Sequence, residues 1–289
     1  MATRVLILGT GLIGASIGLA LKALAPEHGV GEVLGWDASA AESAAALQAG
    51  AVDRVLPQIE DVFEPGVADI YVLAVPVLPI LDWMERLAAV LGESQLVTDV
   101  GSTKVAICAK ADELYNTAGK AAFLPGHPMA GKESGGAGLA EASLFAGATW
   151  LFTPLVADGA LAAQWRAWVT AMGAVTREIA AERHDTVCAW VSHLPQMLST
   201  AFAALLEDSF GEDEAAMEDI RAIGGRALRE TTRLGASPYS MWRDIALTNT
   251  KPLAATLFAL EQQLAHVREN LRTPELREEF KVANRFRAK

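Results

Sequence analysis

Arg4-Val5-Leu6-Ile7-Leu8-Gly9-Thr10-Gly11-Leu12-Ile13-Gly14 decides the fold of this chain. Five residues ending in an apolar run read as a buried strand, the glycines as a tight turn, and residues 15–24 that follow as a helix. Gly9 permits the turn, Gly11 lets a pyrophosphate approach the backbone, and Gly14 lets the helix pack against the strand. Thr10, Leu12 and Ile13 complete the phosphate-facing turn, and the helix N-terminus favours the phosphate charge. A second strand over residues 32–36 ends at Asp37, about twenty residues after the fingerprint. A carboxylate there accepts hydrogen bonds from ribose hydroxyls and repels a 2'-phosphate, so the expected cofactor is NAD rather than NADP. Ser39 and Glu42 read as a capping box for the next helix, which leaves Asp37 to the ribose.

Strands and helices go on alternating. Residues 40–48 read as helix, 69–75 as a strand closed by Pro76, 80–91 as helix and 95–100 as a strand. This pattern predicts an α/β fold, a Rossmann-type doubly wound and mostly parallel sheet. Val75 and Pro76, at a strand end, belong with the expected cofactor contacts. Ser102 stands just before the helical run 105–114. It reads equally as a helix N-cap and as a hydroxyl facing the crevice at the carboxyl end of a strand. Next comes Gly126-His127-Pro128-Met129-Ala130-Gly131-Lys132-Glu133. The glycines and proline predict a turn after the strand end at 121–124, presenting His127 at the crevice as the base of a hydride transfer. Glu133 either orients a partner or is solvated. Residues 149–154 add a strand, 161–172 a helix and 175–179 an edge-like strand.

Composition limits the alternatives. The chain has 289 residues, 52% hydrophobic and 20% charged, so a large core is expected and disorder is not. A net charge of -11 without long basic runs argues against nucleic acid as a partner and for a small-molecule substrate. Cys108 and Cys188 suggest neither a disulfide framework nor a metal site, and a reducing cytoplasm fits. Neither a signal peptide nor a membrane span is expected.

From about residue 181 the pattern is helical throughout. Val187, Trp190, Val191, Leu194, Leu198, Phe202 and Leu205 recur at three- and four-residue steps. Pro195 within that run predicts a kink beside His193, which favours a site role for this histidine. Residues 215–234 form a second expected helix, and its end places the Arg233 guanidinium beside a turn, where it can fork onto a carboxylate. Residues 241–271 read as one long helix with an apolar stripe, and Thr273 as the cap of a last short one. The chain therefore divides into a sheet domain, 1–180, and an all-helical dimerisation domain, 181–289, paired with a second copy as a homodimer.

At five stretches the chain resembles the prephenate/arogenate dehydrogenase family of tyrosine biosynthesis. They are Gly9 to Gly14; Asp99-Val100-Gly101-Ser102-Thr103-Lys104; His127 to Glu133; Ser192-His193-Leu194-Pro195-Gln196; and Thr232-Arg233 with Ser237-Pro238 and Met241-Trp242-Arg243-Asp244. The resemblance implies NAD-dependent oxidative decarboxylation of a cyclohexadienol. His127 then takes the hydroxyl proton as base, with a pKa near neutral, and Ser102 shares that hydroxyl and helps orient the histidine. Arg233 holds a substrate carboxylate and His193 lines the pocket. Glu133 and Trp242, inside the matching stretches, join the expected substrate contacts. On this reading the chain begins at its cofactor strand, with no mutase-like segment before it and little room for a regulatory domain after Lys289. Two rivals remain: a beta-hydroxyacid-type dehydrogenase using a lysine on the helical half, and a non-catalytic dinucleotide sensor.

Overall fold

The computed structural model describes residues 2–132, 134–155 and 159–289. Six parallel strands form the main sheet: β1 (Thr3–Leu8), β2 (Val30–Trp36), β3 (Arg54–Val55), β4 (Ile70–Leu73), β5 (Leu96–Asp99) and β6 (Ala122–Leu124). Their spatial order is β3-β2-β1-β4-β5-β6. The order reverses between β1 and β4, so the crevice for a dinucleotide opens at their carboxyl ends. Helices α1 (Leu12–His28), α2 (Ala40–Gln48), α3 (Val77–Ala88) and α4 (Val105–Leu114) provide the crossovers. Alternation along β1 explains the two covered faces. Val5 and Ile7 pack with Ala15, Ile17 and Leu21 of α1, while Leu6 and Leu8 pack with Leu73, Ile80 and Met84 on the other side.

A second, three-stranded sheet follows: β7 (Gly126–Pro128), β8 (Thr149–Phe152) and β9 (Val175–Glu178), with α5 (Ala160–Ala171) between the last two. β7 is antiparallel to β8, with His127 opposite Leu151. His127 therefore sits in a short strand and not in the expected turn. The glycine that precedes it is needed for packing: a Cβ on Gly126 would lie 2.9 Å from the Asp99 carbonyl oxygen and 3.0 Å from the Trp150 indole nitrogen.

The rest is helical: α6 (Ala181–Cys188), a π-helical turn at Ala189–His193, α7 (Leu194–Phe210), α8 (Glu214–Thr232), a 3-10 turn at Arg233–Ala236, α9 (Tyr239–Thr248), α10 (Thr250–Glu269) and α11 (Glu275–Arg287). The kink expected at Pro195 is resolved by the π turn, which lets α7 restart with the proline in its first turn, where no amide is needed. Two expected helices are broken. Residues 214–232 change direction at Gly225, whose φ of 55° is left-handed. The run from 241 to 271 divides at Asn249, with Pro252 in the first turn of the second piece. α8 and α11 bury no residue of their own, and Ile223, Phe258, Phe280 and Phe286 are exposed. Among the described residues no helix is long and apolar enough to cross a membrane.

Candidate active site

The dinucleotide end of the crevice is built by backbone. Gly9 has a φ of +95°, and a Cβ there would meet the Ala74 carbonyl oxygen at 2.4 Å. A Cβ on Gly14 would strike the Gly9 oxygen at 1.9 Å, whereas one on Gly11 would meet nothing within 4 Å. Gly11 caps α1 with no side-chain hydrogen bond, and the Thr10 hydroxyl is buried without a partner among the described residues. The first turn of α1 thus offers unspent amides beside open space, which suits a pyrophosphate. Asp37 accepts from the Thr10 amide at 2.7 Å and the Ser39 amide at 2.8 Å, so its carboxylate is held rigid at the rim. Ser39 does cap α2, accepting from the Glu42 amide at 3.4 Å, but Glu42 completes no capping box: its carboxylate takes the Ala137 amide at 2.7 Å. A cleft of about 440 Å³ is lined by Gly9, Gly11, Asp37, Val75, Pro76 and Arg86. A second of about 470 Å³ continues from Trp36 and Asp37 along α2 to Leu47. His127 lines neither; it lies deeper, where the helical half meets the sheet.

Asp99 and Asp185 organise that deeper region. Asp99, fully buried at the end of β5, accepts from the amides of Gly101 at 2.7 Å and Gly126 at 3.1 Å and pairs with the buried Lys104 ammonium. One carboxylate therefore ties the turn carrying Ser102 to the strand carrying His127. Asp185 reaches across from α6 and takes the first amides of α4, from Lys104 at 2.7 Å and Val105 at 3.0 Å. This settles how Ser102 is used locally: it does not cap α4, and no hydrogen bond holds its half-buried hydroxyl among the described residues.

The histidines meet around Asp185. His184 Nδ1 lies 2.7 Å from an Asp185 oxygen, and its Nε2 lies 2.8 Å from His127 Nδ1. Cys188 Sγ approaches the same His184 Nε2 at 3.7 Å. Asn249, at the break between α9 and α10, donates from its amide nitrogen to the Asp185 carbonyl at 2.8 Å and lies 3.1 Å from His193 Nδ1. His193 therefore accepts on Nδ1 and carries its proton on Nε2. Its ring meets Trp242 edge-on at 5.9 Å between centroids, and the Trp242 indole N–H is buried without a partner among the described residues.

Burial holds these histidines neutral. It drives His127 well below its ordinary value, helped by the Lys104 charge. It also lowers His184, against the hydrogen bond that His184 donates to Asp185, and lowers His193 to about 4. The near-neutral pKa expected of His127 is thus corrected downward, because burial favours the neutral ring. The donor atoms of His127, His184 and Cys188 lie within 4.8 Å of one another. The facing nitrogens of His127 and His184 are hydrogen-bonded to each other.

Arg233 stands in the turn after α8, and α7 pins that turn. Gln196 donates to the Leu234 carbonyl at 2.6 Å, and Ser199 accepts from the Gly235 amide at 3.0 Å. α7 begins directly after His193, so one helix fixes both. Glu133 lies outside the described residues. His184, Asp185 and Asn249 escaped the reading of the sequence. The break at Asn249 had a signal in Pro252, but the convergence of α6 on α4 had none.

Two family descriptions match the chain in succession: "Prephenate dehydrogenase, nucleotide-binding domain" over residues 17–177 and "Prephenate dehydrogenase, dimerization domain" over residues 180–282. Prephenate dehydrogenase of Lactococcus lactis subsp. cremoris is 31% identical over 92% of this chain and 70% of its own length. Cyclohexadienyl dehydrogenase of Zymomonas mobilis is 29% identical over 98% of this chain and 94% of its own. Among solved structures, prephenate dehydrogenase from A. aeolicus in complex with hydroxyphenyl propionate and NAD+ superposes with a TM-score of 0.85, at 25% identity, over 100% of this chain and 99% of that one.

Proposed function

This chain belongs to the prephenate dehydrogenase family, and from that premise we propose that it oxidatively decarboxylates prephenate with NAD, His127 being the base. The observation that carries the proposal is the buried imidazole of His127 on β7, hydrogen-bonded to His184, in a chain whose first glycine turn is shaped for a dinucleotide. NAD fits the residues present: the unspent amides of α1 and the open space at Gly11 for its pyrophosphate, Asp37 for a ribose, and Val75 and Pro76 along its path. When bound, its nicotinamide supplies the acceptor for a hydride.

The rest falls to side chains. His127 takes the proton of the ring hydroxyl as hydride leaves the same carbon, and Ser102 shares that hydroxyl. Loss of carbon dioxide from the opposite ring carbon returns its bonding electrons to the ring, which becomes aromatic. The phenolate oxygen then recovers the proton from His127, so the base ends as it began. Arg233 holds a substrate carboxylate. His193, with Nε2–H available, and Trp242, with its unpartnered indole N–H, line the substrate side, and Glu133 is assigned there from its place in the motif. Arogenate, or both substrates, is the second reading, favoured by the likeness to a cyclohexadienyl dehydrogenase along nearly the whole chain.

The division at residues 180 and 181 and a homodimer through the helical half belong to the same proposal. The exposed apolar side chains of α8, α10 and α11 support the dimer. A cytoplasmic location follows from the reaction and from two free, buried thiols. The test is NADH formation with prephenate and with L-arogenate, each with NAD and with NADP, for the native chain and His127→Asn. Turnover with prephenate and NAD that disappears in the variant is expected. Turnover with arogenate alone would change the substrate and keep the mechanism. Unchanged turnover in the variant would overturn His127 as the base.

A further inference from the structure

We propose that His184, backed by Asp185, is a positioning residue that fixes His127 in the tautomer protonated on Nδ1, leaving Nε2 bare to take the substrate's proton. The inference rests on the reading of His127 as the base and adds what makes the correct nitrogen available.

The direction of the chain of hydrogen bonds follows from its fixed end. Backbone amides can only donate, so both Asp185 oxygens accept, from Lys104 at 2.7 Å and Val105 at 3.0 Å. The oxygen that takes the Lys104 amide also faces His184 Nδ1 at 2.7 Å, and it sits at the positive end of α4, where a carboxylate is favoured. His184 Nδ1 must therefore carry the proton. Burial keeps His184 neutral, so its Nε2 holds a lone pair. Two groups converge on that lone pair, His127 Nδ1 at 2.8 Å and Cys188 Sγ at 3.7 Å. Burial pushes the Cys188 thiol up to about 12, so it stays protonated and has an S–H to offer that lone pair. His127 Nδ1 is then the donor, and in a neutral ring Nε2 is unprotonated.

His184, Asp185 and Cys188 all lie on α6, and the two residues four apart share one face of it. The cofactor half carries the base, and the helical half carries the group that sets its tautomer. Reversing the chain would require a donor at the Asp185 oxygen, where the Lys104 amide already points. The same reasoning explains why an aspartate stands behind a histidine in hydrolytic triads, where the amide replacement inverts the tautomer and costs about 10⁴-fold in kcat.

The direct test reads the tautomer without any activity measurement. The full chain with NAD bound is prepared with ¹⁵N-labelled histidine, and long-range ¹H–¹⁵N correlation distinguishes protonated from bare ring nitrogens. The His127→Asn spectrum identifies the signals that belong to His127 among the five histidines. A bare Nε2 and protonated Nδ1 are expected. A protonated Nε2 on His127 overturns the proposal. Kinetics supply the second arm. Asp185→Asn presents an amide N–H to His184 and inverts both rings, so kcat should fall about 10³- to 10⁴-fold, with KM and NAD affinity near the native values. His184→Gln returns an acceptor to His127 Nδ1 and should keep much more of kcat than His184→Leu. Equal losses in Gln and Leu, or native kcat in Asp185→Asn, also overturn it. Should His127→Asn remain active, the base assignment fails while the tautomer is still read. Should it be inactive while His127 of the native chain carries its proton on Nε2, the base stands and this inference falls. If Asp185→Asn does not fold, the spectrum of the native chain decides.

Discussion

Lys104→Met is the substitution for which the structure gives the firmest magnitude. Lys104 and Asp99 are 1% and 0% exposed and paired with each other, so solvent screens neither. Truncating the lysine leaves the carboxylate buried with only the amides of Gly101 and Gly126 as partners. Two neutral donors do not replace an ammonium. Breaking a buried pair by removing one member costs about 3–5 kcal/mol. At about 2 °C per kcal/mol for a chain of this size, Tm should fall by about 6–10 °C. The double variant Asp99→Asn with Lys104→Met removes both charges and keeps one acceptor for a glycine amide. Its loss should be about 1–2 kcal/mol, smaller than that of the single variant, with a coupling energy of about 2 kcal/mol or more. Urea unfolding followed by tryptophan fluorescence suits the measurement, because Trp150, Trp165 and Trp168 are buried in the same half. A loss under about 1 kcal/mol in Lys104→Met, or additive effects in the double variant, would refute a buried ion pair as the clamp between the Ser102 turn and β7.

Acid should weaken the fold through the buried histidines. His127, His184 and His193 are all depressed, chiefly by burial, so below about pH 6.5 the unfolded chain binds protons that the native chain refuses. Their stabilisation is complete above that pH and is lost as pH falls toward the folded values. For His193 the window runs from 6.5 to about 4, at up to about 1.4 kcal/mol per pH unit. Urea unfolding across the window should give a flatter slope for His193→Gln than for the native chain, and identical slopes would sink the assignment. Gly9→Ala places a Cβ 2.4 Å from the Ala74 oxygen at a left-handed φ, a strain of about 1–3 kcal/mol. Calorimetric titration should show lost NAD binding, and native affinity would contradict the turn geometry. Arg233→Gln removes a charge-assisted contact worth about 1.5–3 kcal/mol. The expected result is a KM for substrate raised about 10- to 100-fold with NAD affinity unchanged, and an unaltered KM would remove Arg233 from the substrate contacts.

The sequence was most legible where one local pattern carries both structure and chemistry. Gly9, Gly11 and Gly14 between an apolar run and a helix announced the turn because steric demands on glycine are local. Alternating runs announced the sheet for the same reason. The local setting of His127 was misjudged: Gly126 and Pro128 look like turn residues, and pairing with β8 across more than twenty residues overrides that preference. His184 was invisible because nothing within α6 marks it. Its partners are His127, fifty-seven positions earlier, and through Asp185 the start of α4, about eighty positions earlier. One proline was read as a kink at the right place, while Asn249 and Pro252, which divide α9 from α10, were passed over beneath a continuous apolar stripe.

The three helix starts that face the crevice show why the two halves must dock as they do. α1, α3 and α4 follow the adjacent strands β1, β4 and β5, and none begins with a side-chain cap of its own. Each therefore turns unsatisfied amides and the positive end of its dipole toward the same space. The helical half answers two of them with aspartates: Asp185 on α4, and Asp244, itself braced by Arg243, on the Leu78 amide of α3 at 3.2 Å. Thr103 and Thr248 add a hydroxyl contact at 2.8 Å beside the first. Both aspartates are buried, so leaving either helix start bare would strand amides and a charge together. The third start, α1, receives no aspartate. Its amides and the orphaned Thr10 hydroxyl remain for an anion that the chain does not supply. The cap that docks α6 on α4 is also the acceptor that orders the histidine chain, so seating the helical half and preparing Nε2 of His127 are one event.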